Sequence, residues 1–359
     1  MLNLLKDKPQ RIVIVGDRRV SPDTMEEALR RVVSVAAATK LIWESEDEDE
    51  FSRNQLALER GGPEAAPYAA GLAAAIKTAD VVFTHMSPLP AALLAEAASL
   101  KVILTNRGGL EHIDLEAASQ RNIPVINVIR NAIPVAEFTL GLILSVTRNI
   151  AASHHLMRQG VWQRDYANAG FVASLYTLTV GLAGLGNVGI ELARRLKALG
   201  APLIAHEDWL DKERLAREGL ADIELVPTLA DLFRRSDVVS LHLRLTPDNA
   251  GMIDRKYFSL MKNTAYLINA ARGGLINQGD LVAALRTGQI AGAALDVYDS
   301  EPLGAGGLAE LDNVTLTPHI AGTTVDALGQ SPYLLAQALE AVITKDATER
   351  IVNLARLRL

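Results

Sequence analysis

Three side chains far apart in the chain, Arg272, Glu301 and His319, are of the types needed to move a proton beside a bound carboxylate. An imidazole titrates near neutral pH and can give or take a proton there. A carboxylate such as Glu301 favours the charged imidazolium and fixes the ring tautomer. The planar fork of Arg272 matches a carboxylate in two-point geometry. Each has a plainer alternative when taken alone: a structural histidine at a strand end, a surface ion pair, a solvated acid before Pro302. Position is what joins them. Apolar runs at 237–241, 265–269, 292–295 and 314–317 read as strands. They end on His242-Leu243-Arg244, on Ala270-Ala271-Arg272-Gly273-Gly274, on Asp296-Val297 and on Pro318-His319-Ile320-Ala321-Gly322. In open parallel α/β sheets ligands bind beyond the carboxyl ends of the strands. Arg272, Asp296 and His319 are therefore expected in one crevice, with Glu301 in the loop leaving the strand that ends at Asp296.

Residues 178–207 set the frame around these groups. An apolar run at 178–183 is followed by Gly184, Gly186 and Gly189 as G-x-G-x-x-G, then by Val188, Leu192, Leu196 and Leu199 on one helical face. A second apolar run at 202–205 ends at His206-Glu207. The pattern is strand, tight turn and helix, with the helix N-terminus aimed at an anion. Gly184 permits the turn, Gly186 lets backbone approach a pyrophosphate, and Gly189 lets helix pack on strand. Glu207 stands where an acid would accept the hydroxyls of an adenosine ribose. Lone glycine triplets also serve ordinary turns; the flanking strands and the acid are what make this one a dinucleotide unit.

The 359 residues suit two domains, and 49% hydrophobic content suits full-sized cores. A formal net charge of −6 disfavours a nucleic-acid binder. The chain has no cysteine, which removes disulfides and thiolate metal sites. No metal-ligand spacing stands out, and the adjacent His154 and His155 cannot share a helical face. The N-terminus lacks a signal-peptide core, and the most apolar helix, at 135–146, is too short to span a bilayer. A cytoplasmic location with no membrane partner is expected. The first 130 or so residues alternate as well: strands at 11–15, 41–43, 81–84, 102–105 and 124–127, helices at 24–37 and from Gly62-Pro63 to about Lys77. The acidic run 44–50 reads as a solvated loop. Arg107, Gly108, Gly109 and Leu110 follow the fourth strand, where paired glycines could offer N–H groups to a carboxylate or simply make a turn.

Several segments in one order resemble the D-2-hydroxyacid dehydrogenase family, the group of phosphoglycerate, glycerate and D-lactate dehydrogenases. They are RGGLEHIDLEAA from Arg107, VAEFTLGLIL from Val135, GLGNVG from Gly184, SDVVSLHLRLTPDNAGMI from Ser236, NAARGGLI from Asn269, ALDVYDSEPL from Ala294 and TPHIAGTT from Thr317. The resemblance implies an α/β chain with two parallel-sheet lobes. A Rossmann NAD-binding domain, 131–324, is inserted into a flavodoxin-like substrate domain, 1–130 with 325–359. It implies catalysis by Arg272, Glu301 and His319. It implies NAD held by Gly184, Gly186, Asn187, Val188, Gly189, Glu207, Thr246, Ala270, Ala271, Arg272, Asp296, His319 and Gly322. It implies substrate contact by Arg107, Gly108, Gly109, Leu110 and Arg272. A homodimer follows from the family and from the apolar helix after Val135, and no regulatory domain is expected after the last helix. Departures from the family pattern fall at Arg244, at Thr177-Leu178 and around Ile129-Arg130-Asn131, the last of which could alter the approach to the substrate.

The expected reaction interconverts a D-2-hydroxy acid and its 2-oxo acid. Two other classes compete: an NAD(H)-sensing binding protein, since corepressors of the C-terminal-binding type resemble this family, and a dehydrogenase of another substrate such as formate. The intact Arg272, Glu301 and His319 favour turnover, and Glu301 argues against formate. The loop His85-Met86-Ser87-Pro88-Leu89-Pro90 offers no arginine or lysine for a phosphate, leaving Arg107, Arg130 and Arg244. Glyoxylate and hydroxypyruvate are accordingly expected ahead of 3-phosphoglycerate.

Overall fold

The computed structural model describes residues 5, 8–208, 212–303, 307–345 and 347–357. They form two compact units, Met1–Arg130 with Thr324–Leu359, and Asn131–Thr323. Unit 1 is built on a five-stranded sheet of β1 (Gln10–Gly16), β2 (Val35–Ile42), β3 (Val81–Thr84), β4 (Val102–Thr105) and β5 (Val125–Asn127), ordered β2-β1-β3-β4-β5. All its pairings are parallel. Side chains alternate across the sheet with period 2. Ile12 and Ile14 pack with Phe83, Leu104, Leu335 and Leu339 on one face; Val13 and Val15 pack with Phe51, Leu58 and Ile103 on the other. The helix Val325–Lys345 belongs to the first of these cores. Beyond it, Ile351 bridges Ile126, and the buried Asn353 accepts the Val125 N–H at 2.9 Å while donating to Ile123 O and Ser119 Oγ at 3.0 Å.

Three expectations for unit 1 need correction. The helix read over 24–37 runs only from Pro22 to Arg30, started by Ser21 as N-cap, and Val35 to Ala37 join β2 instead. Alanine-rich residues yield here to pairing along β1, a tertiary gain that outweighs propensity. The acidic run is not all loop: Asp47 caps the helix Glu48–Gly61, and Glu48, Asp49 and Glu50 occupy its first turn, where the helix dipole favours negative charge. The alanine-rich stretch beyond Gly62-Pro63 forms only the short helices Leu72–Ala75 and Ile76–Thr78.

Unit 2 carries seven parallel strands: β6 (Val180–Ala183), β7 (Leu203–His206), β8 (Glu224–Leu225), β9 (Val238–Leu241), β10 (Tyr266–Asn269), β11 (Gly292–Leu295) and β12 (Val314–Leu316). Their order is β12-β11-β10-β9-β6-β7-β8. It reverses between β6 and β9, the point at which doubly wound sheets take ligands. The apolar helix Ala132–Thr147 packs within this unit against the helix Asn187–Ala198 and against β10, β11 and β12. Its hydrophobicity is therefore met by its own core. It stops at Arg148, Asn149 turns left-handed with φ 56°, and the helix Ile150–Arg158 leaves at 67°. No single helix among the described residues is long and apolar enough to cross a bilayer.

Candidate active site

The strand register of unit 2 sets the site. His206, Ala183, Leu241, Asn269, Leu295 and Leu316 lie side by side across the sheet. The residues singled out from the sequence follow that row closely: Gly184 after β6, Glu207 after β7, Thr246 beyond β9, Ala270 to Arg272 after β10, Asp296 and Glu301 after β11, His319 and Gly322 after β12.

At β12, the His319 Nδ1 lies 2.8 Å from Glu301 Oε2. The other carboxylate oxygen of Glu301 accepts the Tyr298 N–H at 3.0 Å, which anchors the acid. Which ring nitrogen of a histidine carries the proton is set by such a contact, here at Nδ1. His319 has φ 52°, a left-handed conformation that a side-chain-bearing residue adopts at a cost. Asp296 maintains it. Its Oδ1 accepts the Ile320 N–H at 3.0 Å and the Thr317 hydroxyl at 2.6 Å, and its Oδ2 accepts the Ala321 N–H at 2.8 Å. Burial nonetheless pushes the Asp296 carboxyl above its ordinary range, against these donors and the charge of His319. At β10, the Asn269 side chain receives the Ala271 N–H and donates to the Arg272 carbonyl, each at 3.0 Å, so the turn carrying the guanidinium is tied to its strand.

At β6, Gly184 has φ 103°, which an L side chain rarely adopts. A Cβ at Gly189 would collide with the Gly184 carbonyl. One at Gly186 would meet no atom within 4 Å, so the space a pyrophosphate needs is open. Glu207 accepts the Leu185 N–H at 2.7 Å, bringing the acid to the turn. Arg214 donates to Asn187 at 2.7 Å at the start of the same helix. These residues fit a dinucleotide: open backbone at the helix start and an acid at the neighbouring strand end.

Unit 1 holds a second polar group, in which Asp17 and His85 join the arginines singled out from the sequence. Asp17 follows β1, His85 follows β3, Arg107 follows β4 and Arg130 follows β5. His85 Nδ1 is 2.6 Å from Asp17 Oδ2, and Arg130 Nη2 is 3.2 Å from His85 Nε2. Arg107 lies 3.8 Å from Glu59 and is 7% exposed. Gly108 accepts from Asn127 at 3.0 Å, and Gly109 and Leu110 lead into the turn closed by Ile113. Asp17 and His85 are separated by 68 residues, and neither is marked by any local motif.

The model of the D-isomer specific 2-hydroxyacid dehydrogenase NAD-binding domain matches residues 140–321. The chain belongs to that family. It is 38% identical over 271 residues to a glyoxylate reductase of Thermofilum pendens, covering 74% of this chain and 78% of that protein. It is 35% identical over 284 residues to a D-3-phosphoglycerate dehydrogenase of Methanocaldococcus jannaschii, covering 79% of this chain and 53% of that one. The chain thus spans about half the length of the phosphoglycerate dehydrogenases it matches. Among solved structures, an NADPH-dependent glyoxylate/hydroxypyruvate reductase of Sinorhizobium meliloti, in complex with NADP and malonate, superposes with TM-score 0.69 at 25% identity, covering 94% of each chain. Unit 2 is the family's NAD-binding domain.

One titration follows from the cofactor turn. His242, beyond β9, bonds Ser240 Oγ at 2.9 Å, and burial pushes its pKa down to about 4 from 6.5. Between these values the unfolded chain takes up a proton that the folded one refuses, so stability is lost as pH falls from about 6.5 toward 4. In urea titrations across this range, His242→Gln is expected to reduce the pH slope relative to wild type; an identical slope would remove His242 as a source of acid sensitivity.

Proposed function

We propose that this protein is an NAD-dependent dehydrogenase that interconverts a D-2-hydroxy acid and its 2-oxo acid. The carrying observation is the 2.8 Å contact of His319, beyond β12, with Glu301, beyond β11, the neighbour of the strand β10 that leads to Arg272. In the reducing direction His319 gives its Nε2 proton to the substrate oxygen, and in the oxidising direction it takes that proton back. Glu301 stabilises the imidazolium. Arg272 binds the carboxylate and polarises the carbonyl. NADH, when bound, supplies the hydride. Gly184, Gly186, Asn187, Val188 and Gly189 would cradle its pyrophosphate and Glu207 its adenosine ribose, with Thr246, Ala270, Ala271, Asp296 and Gly322 around the rest. In unit 1, Arg107, Gly108, Gly109 and Leu110 are assigned to the substrate. A binding protein that senses NAD(H) without turnover would not need the His319–Glu301 pair.

Glyoxylate, hydroxypyruvate and 3-phosphoglycerate are the candidate substrates. A panel of 2-oxo acids with NADH and NADPH tests the reaction. Turnover with NADH preferred is the expected result, because Glu207 would repel a 2′-phosphate; equal efficiency with NADPH removes the preference, and tightly held NADH without turnover of any acid points to the sensor.

Proton transfer has its own signature. Reduction should fall as pH rises through the His319 pKa, and oxidation should fall as pH drops. Glu301→Gln should move both limbs to lower pH, because the neutral amide no longer favours the charged ring. An unchanged profile takes Glu301 out of this role.

A cytoplasmic homodimer is also part of the proposal. Apolar side chains available for a second copy include Ile150, Met157, Trp162 and Tyr176, each more than half exposed. Sedimentation should give a dimer that weakens in Trp162→Ser; a monomeric wild type removes it.

A further inference from the structure

We propose that Arg130, set in place by the Asp17–His85 pair, is a specificity-determining side chain that holds a second acidic group of the substrate, a carboxylate or phosphoryl at the far end of the 2-oxo acid. The proposal rests on the dehydrogenase reading above and narrows its substrate class. In the sheet of unit 1 the strand order reverses between β1 and β3, and Val15 pairs Thr84. Asp17 and His85 therefore stand just past the carboxyl ends of the two strands at the switch point, where this class of sheet takes its ligands. Thr84 pairs Thr105 and Thr105 pairs Asn127, which brings Arg107 and Arg130 to the same edge.

The hydrogen bonds around Asp17 fix what Arg130 can do. Asp17 Oδ1 accepts the N–H groups of Arg19 at 2.9 Å and Val20 at 3.1 Å, and Oδ2 faces His85 Nδ1. The carboxylate is thus spent on partners other than the guanidinium. His85 is 1% exposed, and burial, with Arg130 and Arg107 nearby, lowers its pKa against the pull of Asp17. It is the neutral ring, with Nδ1–H donated to Asp17 and Nε2 accepting from Arg130 Nη2. Arg130 keeps a full positive charge directed by a neutral acceptor. No carboxylate among the described residues pairs with it, and its buried Nη1 has no hydrogen-bond partner. The fully buried His112, which feels the charges of Arg107 and His85, has its Nε2 on Thr105 Oγ1 at 3.1 Å and its Nδ1 without a partner. A buried guanidinium nitrogen without an acceptor is costly unless a ligand supplies one. A planar fork with one nitrogen already oriented is suited to a carboxylate or phosphoryl oxygen. His85 and Asp17 are positioning residues: they act through Arg130.

The test measures KM and kcat with NADH for hydroxypyruvate, 3-phosphohydroxypyruvate and oxaloacetate. Their tails are a hydroxyl, a phosphoryl and a carboxylate. Wild type, Arg130→Gln, His85→Phe and His85→Gln are compared. Arg130→Gln is expected to raise KM for at least one anionic-tail acid about tenfold more than for hydroxypyruvate, the scale of one charged hydrogen bond. His85→Phe, which removes the acceptor, should move KM in the same direction. His85→Gln, whose side-chain carbonyl can accept from Arg130, should recover part of the loss. Whichever anionic tail responds identifies the group held. Equal changes for all three acids, a change confined to kcat or to melting temperature, or a wild type with its lowest KM for hydroxypyruvate overturns the proposal. Should a His85 variant fail to fold, wild type and Arg130→Gln decide alone. Turnover of all three acids with KM values that Arg130→Gln leaves unchanged defeats this inference while leaving the dehydrogenase reading standing; no turnover of any acid with either cofactor defeats both.

Discussion

The parallel register of the seven-stranded sheet ends β6, β7, β9, β10, β11 and β12 on one row, from His206 through Ala183, Leu241, Asn269 and Leu295 to Leu316. Everything that gives unit 2 a chemistry hangs from that row. A register slip of one residue exchanges the two faces of a strand, and these strands are mostly buried on both faces, so the packing resists it. The row fixes the origin of each loop to within a few residues. Local hydrogen bonds then aim the side chains: Asn269 for the turn of Arg272, Asp296 for the loop of His319, Tyr298 for Glu301.

Each unit pairs a histidine Nδ1 with a carboxylate, and the surroundings make the two pairs different instruments. His319 is partly exposed, and the group engaging its Nδ1 is a carboxylate that accepts the Tyr298 backbone N–H. His85 is sealed, and its Nε2 is occupied by an arginine donor. Protonation there would break the bond to Arg130 and place a second cation in a low-dielectric cluster. The same two residue types form a partly exposed pair in one unit and a sealed bracket for an arginine in the other.

Much of this was legible in the chain because fully buried parallel strands read as short apolar runs with a polar stop. The runs at 265–269 and 292–295 differ from β10 and β11 by at most one residue. The glycine turn was legible because its requirements are local. Other features were not. The two-residue β8, Glu224–Leu225, is exposed and has no pattern. Residues 35–37 carry helix-favouring alanines, and only pairing with β1 makes them strand. Asp17, His85 and Arg130 lie in three separate loops, and nothing in any of those loops signals the other two. The departure around Ile129-Arg130-Asn131 stands out in the sequence, but its partner His85 sits in a loop whose lack of arginine and lysine made it look unsuited to an anion.

The split of unit 1 into two chain segments governs the order in which the molecule can be assembled. Asn353 closes onto Val125 across 228 residues, and the helix Val325–Lys345 that completes one face of the five-stranded sheet is synthesised after all of unit 2. Unit 2 is continuous, and its contacts can form as soon as Thr323 has been made. For unit 1, closing so long a loop has an entropic cost that a folded insert reduces by bringing its own ends to fixed positions. The first 130 residues must therefore wait, with the strands that carry Asp17 and His85 laid down early and one side of their core open, until the last 36 residues arrive. On the ribosome the usual N-terminal-first sequence is inverted: the middle of the chain is the first part that can finish.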